Sequence, residues 1–509
     1  MRLRWLPAAA IIAALFTLQS LRHVGSGPWG VDGSYYMQVA RHVAEGDGLL
    51  TSVCLYHQGL RTLPTRTNIY PLWPLLLGFA ARAIGLAAAA TFVPRLLYVV
   101  CLLLAYGLTV RLAPATTFNH FDYGHVSIAL LGLNTAFFST TCYPYTEGLA
   151  IALTLTAILL CDIALRRGRW PLFAVTGVVA ALAFMTRSQM LLVAPAIGCV
   201  LILGIISHSV RPANVIAFVA GFTAPLLVWI AFLATFVHPF EIGALIAMHS
   251  ETPGLPPYDQ HVVTHGAASY LADRLRGLAV MFNPVSPLSF VHSFGPAALL
   301  VPLAAVFYLL RRRVLREIPS GVVATLLAGA AMSLALLEAH NRYFLEWLFG
   351  YRHALPFILL LAPSAIFLFH AGGTAIRLIT ALLLVLSLVV EAQSSVAFAL
   401  TPPAEWPSAA ETGFVQWIAQ HDPQAIVLTT NAQTLSIASR ANFRWSACQQ
   451  PPETTRRLLT LVRTDYVLVY EPELGCSFFD GLQDLLRPVG TFGASPDRLF
   501  LLENRGRRR

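Results

Sequence analysis

Charged side chains are scarce in this sequence. They make up 12% of its 509 residues, whereas 56% of the residues are hydrophobic. Soluble domains usually carry about 25% charged residues. Because a water-exposed surface cannot be built from so few charges, most of the surface is expected to face lipid. The shortage argues against an ordinary soluble protein and predicts an integral, multi-pass membrane protein.

Other absences narrow the class further. The net charge of +9 is not gathered in one region, so the sequence lacks the basic face of a nucleic-acid-binding protein. No heptad and no long internal repeat is visible, which argues against a transporter built from duplicated halves. The seven cysteines include no CxxC pair. Cys448 and Cys476 lie in the polar tail and could form a disulfide if that tail faces an oxidising compartment.

The N-terminal stretch MRLRWLPAAAIIAALFTLQSL has a basic start and an apolar core, like a signal peptide. No clear small-x-small cleavage site follows it. We therefore interpret it as a retained first helix that acts as an uncleaved signal-anchor, and a cleaved signal peptide is the alternative.

Many further stretches are long and apolar enough to cross a bilayer, which takes about 20 mainly apolar residues. The candidates lie near residues 5–24, 71–88, 91–113, 126–142, 147–165, 171–186, 189–207, 213–237, 293–310, 320–338, 352–370 and 375–396. The arginine-rich clusters at 1–4, 166–169, 207–211 and 311–317 are expected to be cytoplasmic.

This orientation places both Asp32 and Glu147 on the outer side, although an odd number of apolar stretches separates them. One of these stretches is therefore not expected to span. The better candidate is 71–88, whose two prolines and Trp73 suit an interfacial or re-entrant helix, and 126–142 is the other. The sequence thus predicts about eleven to thirteen spans.

The tail from about residue 401 changes in character. Short β-branched or aromatic runs such as AIVLTT and DYVLVY alternate with stretches of helical spacing. We predict a transmembrane domain over 1–400, with a first outer loop at 25–70 and another at 238–292. A small extracytoplasmic α/β domain is predicted over 401–509.

One polar stretch of the first outer loop, VDGSYYMQVARHVAEGDGLL at 31–50, has the pattern of an amphipathic helix. Asp32, Tyr36, Val39 and Val43 recur at helical spacing, as in a helix that lies along a membrane surface. Asp32 would stand at its start, where the helix dipole favours an ionised carboxylate. Taken alone, the pattern is more typical of an ordinary helix cap.

Four downstream motifs change this interpretation. They are RTNIYPLWPLLLGFAARAIG (66–85), YPYTEGLAIAL (143–153), MTRSQMLLVAPAI (185–197) and FGYRHALPFILL (349–360). With these motifs in this order, the chain resembles the GT-C superfamily of membrane glycosyltransferases. It is most similar to the enzymes that use polyprenyl-phosphate sugars, such as protein O-mannosyltransferases and lipid A aminoarabinose transferases. The resemblance implies the GT-C fold.

The resemblance also implies a reaction and a catalytic residue. In the family the aspartate of the first loop is the catalytic base, a role that falls on Asp32. The donor would be a polyprenyl-phosphate-linked sugar and the acceptor a hydroxyl of a lipid, glycan or protein. In-line attack would invert the anomeric configuration. Relatives often carry a second acid directly after the aspartate, where this chain has Gly33.

The departing phosphate requires cations. The candidates on the outer side are Arg66, Arg187, Arg342 and Arg352, with His340 and His353 as further possibilities, and the resemblance favours Arg187 and Arg352. Glu147, in a Pro-x-Thr-Glu pattern shared with the mannosyltransferases of GPI-anchor assembly, could orient the acceptor or a basic partner. The substrate-binding set is completed by Tyr35, Tyr36 and Tyr70.

No metal ligands are assigned, although a divalent metal remains an option. The spacing of His261 and His265 lacks the glutamate of a HExxH site. Two other functions are considered. An O-antigen ligase or polymerase would need residues of 238–292 rather than Asp32, and a transporter or flippase would use Glu338 or Glu391 near the ends of spans. The expected location is the inner membrane of a bacterium, with the active site facing the periplasm.

Overall fold

The structure of the chain is a computed structural model. It describes residues 2–22, 30–54, 63–67, 70–112, 122–236, 291, 294–310, 355–402, 407–445, 452–476 and 481–506. Two compact units are present. One, here called the helical unit, comprises Met1–Arg22, Pro94–Cys142 and Thr146–Pro402. The other, here called the mixed unit, comprises His23–Val93, Tyr143–Tyr145 and Pro403–Arg509.

Helices account for most of the first 400 residues. They are α1 (Arg2–Leu21), α2 (Gly30–Glu45), α3 (Leu72–Ile84), α4 (Leu86–Leu112), α5 (Tyr123–Leu133), α6 (Thr135–Thr140), α7 (Glu147–Arg167), α8 (Trp170–Phe184), α9 (Val193–Ile206), α10 (Pro212–Phe236), α11 (Leu300–Leu310), α12 (Ile358–Ala371) and α13 (Thr374–Leu400). Within the described ranges, five helical segments are long and apolar enough to cross a membrane. They are Leu86–Arg111, Glu147–Arg167, Gln189–Ile206, Pro212–Phe232 and Thr374–Leu400.

Helices α8 and α10 pack closely at two glycines, where no side chain separates the backbones. A Cβ atom added to Gly177 of α8 would lie 2.1 Å from the carbonyl oxygen of Phe218 in α10. One added to Gly221 of α10 would lie 2.1 Å from the carbonyl oxygen of Ala174 in α8. Because hydrocarbon around a helix leaves no hydrophobic force to pull helices together, membrane helices associate through such close approaches of small residues.

Neither of the two doubtful apolar stretches forms one continuous helix. The 71–88 stretch is broken at Gly85, which has φ 88° and ends α3 after 13 residues. At 1.5 Å per residue, α3 measures about 20 Å, too short for a hydrocarbon core of about 30 Å. The 126–142 stretch is broken at Asn134 into α5 with 11 residues and α6 with 6. The orientation built on these stretches stays a prediction.

The polar tail folds around a sheet, as the sequence predicts. Its elements are α14 (Ala409–His421), β4 (Ile426–Thr429), α15 (Ala432–Ala438), β5 (Asn442–Trp445), α16 (Pro452–Leu461), β6 (Tyr466–Tyr470), β7 (Leu486–Phe492) and β8 (Leu499–Asn504). Buried Leu428, Leu459, Val467 and Val469 form the core beside this sheet. Cys476 is disulfide-bonded, and Cys448 lies outside the described residues.

The sheet contains one strand that the tail does not supply. The first loop contributes β1 (Leu50–Thr51), β2 (Val53–Cys54) and β3 (Thr65–Arg66). β1 and β3 form a small antiparallel ribbon, while β2 joins the larger sheet, whose order is β2-β5-β4-β6-β8-β7. The first four strands are parallel, and β8 and β7 continue antiparallel. The domain division at residue 400 stays a prediction, but the sheet extends across it.

Candidate functional site

The predicted amphipathic helix of the first loop is present as α2, and Asp32 lies in its first turn. The helix begins at Gly30, whose φ of 70° favours glycine. A side chain at Gly30 would also collide with the hydroxyl of Tyr145, which comes within 2.0 Å of the Cβ position. Asp32 is half-buried. Gly33 behind it is buried.

The other first-loop residues predicted to bind substrate also lie in the mixed unit. Tyr35 is 5% exposed, and its hydroxyl lies 3.3 Å from Oγ1 of Thr67. Tyr36 is half-buried, with its ring edge-on to that of Tyr35 at a centroid distance of 6.5 Å. Arg66 is paired with Leu50 in the β1–β3 ribbon.

Tyr70 is half-buried at the entrance to α3. It is followed by Pro71 and by Trp73, which is fully buried. The Trp73 indole N–H donates to the carbonyl oxygen of Pro144 at 2.8 Å. Within the YPLW motif, Trp73 is therefore held inside the protein by this hydrogen bond, which is a structural role.

The helical unit joins two residues that the sequence predicted separately. Glu147, the first residue of α7, is 2% exposed, and its Oε1 lies 2.5 Å from Nη1 of Arg187. The Arg187 side chain is 13% exposed. A buried ion pair of this kind stays stable because each charge compensates the desolvation of the other. Glu147 thus has the basic partner that one of its two predicted roles requires.

Two neighbours fix the Arg187 guanidinium further. Nη1 also donates to Oγ1 of Thr146 at 3.3 Å, and Nε donates to Oε1 of Gln189 at 3.0 Å. The local chain explains the geometry: Arg187 is extended, with φ −159°, between the end of α8 and the 3-10 turn Ser188–Leu192. These contacts hold the guanidinium in one plane.

The remaining predicted cations and nearly all of the predicted outer loop 238–292 are not among the described residues. Arg342, Arg352, His340 and His353 lie outside the described residues, as do Glu338, His261, His265 and the whole of 238–290. Their assignments stay predictions.

Comparison with solved structures decides the fold. The oligosaccharyltransferase of Archaeoglobus fulgidus matches with a TM-score of 0.61 and 11% identity, over 91% of this chain and 69% of that one. ArnT from Cupriavidus metallidurans, bound to undecaprenyl phosphate, matches with a TM-score of 0.56 and 13% identity, over 98% of this chain and 97% of that one. The chain has the GT-C fold.

A further GT-C neighbour is the arabinofuranosyltransferase AftD from mycobacteria, with a TM-score of 0.50 and 16% identity. The match covers 98% of this chain but 41% of AftD. Scans against protein-family models and against curated proteins find no match. The GT-C fold confirms the predicted class, an α-helical polytopic membrane protein with a small C-terminal α/β region.

The comparison raises the question of a metal cofactor, since the Archaeoglobus enzyme was also solved in complex with Zn and sulfate. Within the described part of the chain, His42, Glu45 and Asp47 form the group whose ligand atoms lie within 4.8 Å of one another. Glu45 is thirteen positions after Asp32 in α2, about 20 Å along the helix. This group therefore lies at the other end of α2 from Asp32.

The members of that group already have protein partners. His42 Nδ1 lies 3.1 Å from Oδ2 of Asp47, and His42 Nε2 lies 2.7 Å from Oγ of Ser52. Glu45 forms an ion pair with Arg440 at 2.9 Å. With Gly33 beside Asp32, the described residues do not fit a metal bound at Asp32.

Glu391, the best support for a transporter, has a structural explanation in the GT-C bundle. Glu391 lies on α13 and is 6% exposed. Its Oε2 accepts hydrogen bonds from the backbone N–H of Thr135 at 2.7 Å and from the Thr135 hydroxyl at 2.9 Å. One turn later, Ser395 Oγ donates to the carbonyl oxygen of Leu133 at 2.8 Å. Both side chains satisfy backbone groups freed by the break at Asn134, as buried polar groups in a membrane must be.

Proposed function

We propose that this chain is an inverting GT-C glycosyltransferase that moves a sugar from a polyprenyl phosphate to a hydroxyl of a lipid, glycan or protein. The observation that carries the proposal is Asp32, a half-buried carboxylate at the start of a helix in the loop after α1. The GT-C fold supports it, because ArnT, matched over nearly its whole length, was solved with undecaprenyl phosphate.

Asp32 is the proposed general base. The acceptor O–H gives its proton to the Asp32 carboxylate as the acceptor oxygen forms a bond to the anomeric carbon. The bond between that carbon and the phosphate oxygen breaks, and its electron pair leaves with the lipid phosphate. Attack opposite the leaving group inverts the anomeric centre. No step requires a metal, and none is assigned to one.

Arg187 is proposed to stabilise the leaving phosphate. Charge accumulates on the phosphate oxygens as the glycosidic bond breaks, and a guanidinium that is already oriented stabilises it without reorganising. Glu147 is the residue that orients Arg187, through the 2.5 Å ion pair. The proposed role of Asp32 does not depend on that of Arg187.

The other predicted residues keep supporting roles in this proposal. Arg66, Arg342, Arg352 and His353 are further candidates for phosphate contacts, and Tyr35, Tyr36 and Tyr70 for contacts with substrate. The location in this proposal is the inner membrane of a bacterium, and the arginine clusters support an orientation with the chemistry on the periplasmic side. The transmembrane part up to residue 400 would supply the donor site, and 401–509 the extracytoplasmic domain.

The test uses the purified full-length protein with radiolabelled polyprenyl-phosphate sugars and a membrane extract as the source of acceptor. Wild type is expected to transfer label from one of the donors. Asp32→Asn is expected to lower the rate by about 10²–10⁴-fold, the usual contribution of a general base. Asp47→Asn, at the other end of the helix region, is the matched control and should transfer at the wild-type rate.

Two results would contradict the proposal. Equal transfer by wild type and Asp32→Asn would remove Asp32 from the mechanism. Movement of the labelled lipid across proteoliposomes without any bond formation would instead indicate a flippase.

A further inference from the structure

We propose that the C-terminal α/β fold is the support that positions Asp32, and that Arg41 and Gln38 are the positioning residues that connect the two. This inference rests on the proposed role of Asp32 as the base. Neither residue is expected to touch substrate. Arg41 fastens α2, which carries Asp32, directly to a part of the mixed unit that lies almost 400 residues later in the sequence. Gln38 fastens α2 to the segment of β1 and β2, which in turn pairs with β5.

The first connection runs through the sheet. β2 is the parallel edge strand beside β5, with Val53 opposite Phe443 and Cys54 opposite Arg444. The backbone N–H of Phe443 donates to the carbonyl oxygen of Ser52 at 2.8 Å. The segment that follows α2 is therefore held by the C-terminal sheet.

Gln38 ties α2 to that held segment. Its side chain is fully buried, and both ends of its amide are used. Nε2 donates to Oγ1 of Thr51 at 2.7 Å, while Oε1 accepts from the backbone N–H of Ser52 at 2.9 Å. A buried amide with both ends bonded permits one orientation of the helix relative to the strand, because any rotation leaves a polar group unsatisfied.

The second connection runs through Arg41, one turn further along α2. Its Nη1 lies 3.5 Å from the carbonyl oxygen of Ile437 and 3.4 Å from that of Ser439, at the end of α15. The last carbonyl groups of a helix lack partners within it and carry partial negative charge, so a guanidinium is a suitable cap. Burial lowers the pKa of Arg41, and the nearby Glu45 acts in the opposite direction. This desolvated cation therefore depends on the partners that hold it in place.

A third element restrains α2 from another side. A Cβ atom added to Gly78 of α3 would lie 2.5 Å from Cβ of Val43 and 2.9 Å from the carbonyl oxygen of Ala40. α2 is thus restrained by the β2 segment, by α15 and by α3. Asp32 lies about 14 Å along the helix from Arg41, so a tilt of about 5° would move its carboxylate by about 1 Å. A displacement of that size can cost about 10²-fold in rate.

The test compares three full-length variants. Arg41→Met removes the guanidinium but keeps an apolar stem, Arg41→Lys keeps the charge, and Arg440→Gln removes an exposed cation from the same junction. For each, kcat and KM for the polyprenyl-phosphate sugar are measured, together with hydrogen exchange of the peptides that cover 30–45 and 426–445.

Arg41→Met is expected to lower kcat by about 10- to 100-fold while KM changes less than about twofold, because the base is displaced but the donor still binds. Hydrogen exchange should accelerate in 30–45 and remain slow in β4. Arg41→Lys should recover part of kcat, and Arg440→Gln should match wild type. Gln38→Met removes the other connection and should give the same split between kcat and KM.

The outcomes separate this inference from the proposed function. If Asp32→Asn is inactive but both Arg41→Met and Gln38→Met keep the wild-type kcat, the positioning role is overturned and the proposed function stands. Accelerated exchange throughout β4 and β5 would also overturn it, because Arg41 would then stabilise the whole fold. If Asp32→Asn is fully active, the proposed function itself fails.

Discussion

Asp32 and Glu147 each lie in the first turn of a helix, and the surroundings of the two acids differ. Asp32 in α2 is half-buried, whereas Glu147 in α7 is 2% exposed and lies 2.5 Å from a guanidinium. A base must accept a proton and be reachable by the group that loses it. Glu147 could accept a proton only by giving up its partnership with Arg187. The comparison favours Asp32 as the base and Glu147 as the residue that orients a cation.

The largest expected effect that tests this comparison is a kinetic one at Asp32. Asp32→Asn should lower kcat by about 10²–10⁴-fold. Its thermal unfolding temperature should stay close to that of wild type, because a charge at a helix start typically contributes only about 0.3–1 kcal/mol. Activity and thermal unfolding are measured on the same preparation. A variant that loses activity only in proportion to its loss of folded protein would remove the distinction between the two acids.

Glu147 should differ from Asp32 in having a large effect on stability. Glu147→Gln leaves the Arg187 guanidinium buried without its counter-charge, which costs about 3–5 kcal/mol in the free energy of unfolding. Adding Arg187→Met to Glu147→Gln should restore much of that loss, because the uncompensated charge is gone. Denaturation of the two single variants and the double variant in detergent measures the coupling. Additive losses would show that the two side chains do not act as a pair.

Glu391, another buried acid, extends the comparison to a purely structural case. Glu391→Leu should lower the free energy of unfolding by about 1–3 kcal/mol, since it leaves the N–H of Thr135 without its acceptor. Glu391→Gln keeps an oxygen there and should be close to wild type. KM and kcat per folded molecule should be unchanged in both. A drop in kcat with normal stability would instead place Glu391 in the reaction.

The smallest effect is expected at an exposed ion pair. Arg440 and Glu45 lie 2.9 Å apart, but the Arg440 side chain is 77% exposed. Such pairs contribute about 0–1 kcal/mol, so Glu45→Gln should barely change thermal unfolding. A destabilisation as large as that of Glu147→Gln would mean that burial does not decide what these pairs contribute.

The sequence predicts some of these features for clear physical reasons. The shortage of charge indicates a membrane protein because it leaves too little polar surface for water. The helical period of α2 can be recognised in the sequence because Tyr36, Val39 and Val43 recur at helical spacing. The strands β4 and β6 are readable because β-branched residues dominate them.

Other features could not be predicted, because they depend on distant or short segments. Glu147 and Arg187 are separated by all of α7 and α8, and no local pattern pairs them. β2 consists of Val53 and Cys54, too short for any periodicity to register. The breaks at Gly85 and Asn134 lie inside stretches whose composition stays apolar, so hydropathy continues where the helix does not.

The pairing of β2 with β5 also has a consequence for the order of events during synthesis. Chains fold from the N-terminus as they emerge, at about 5–20 residues per second. Val53 leaves the ribosome long before Phe443, its partner in the sheet. Strand β2, which follows the helix of Asp32, can therefore pair only after β5 has been made. Until β5 has been made, α2 lacks the support of the sheet, so the positioning of the proposed base is completed only late in synthesis.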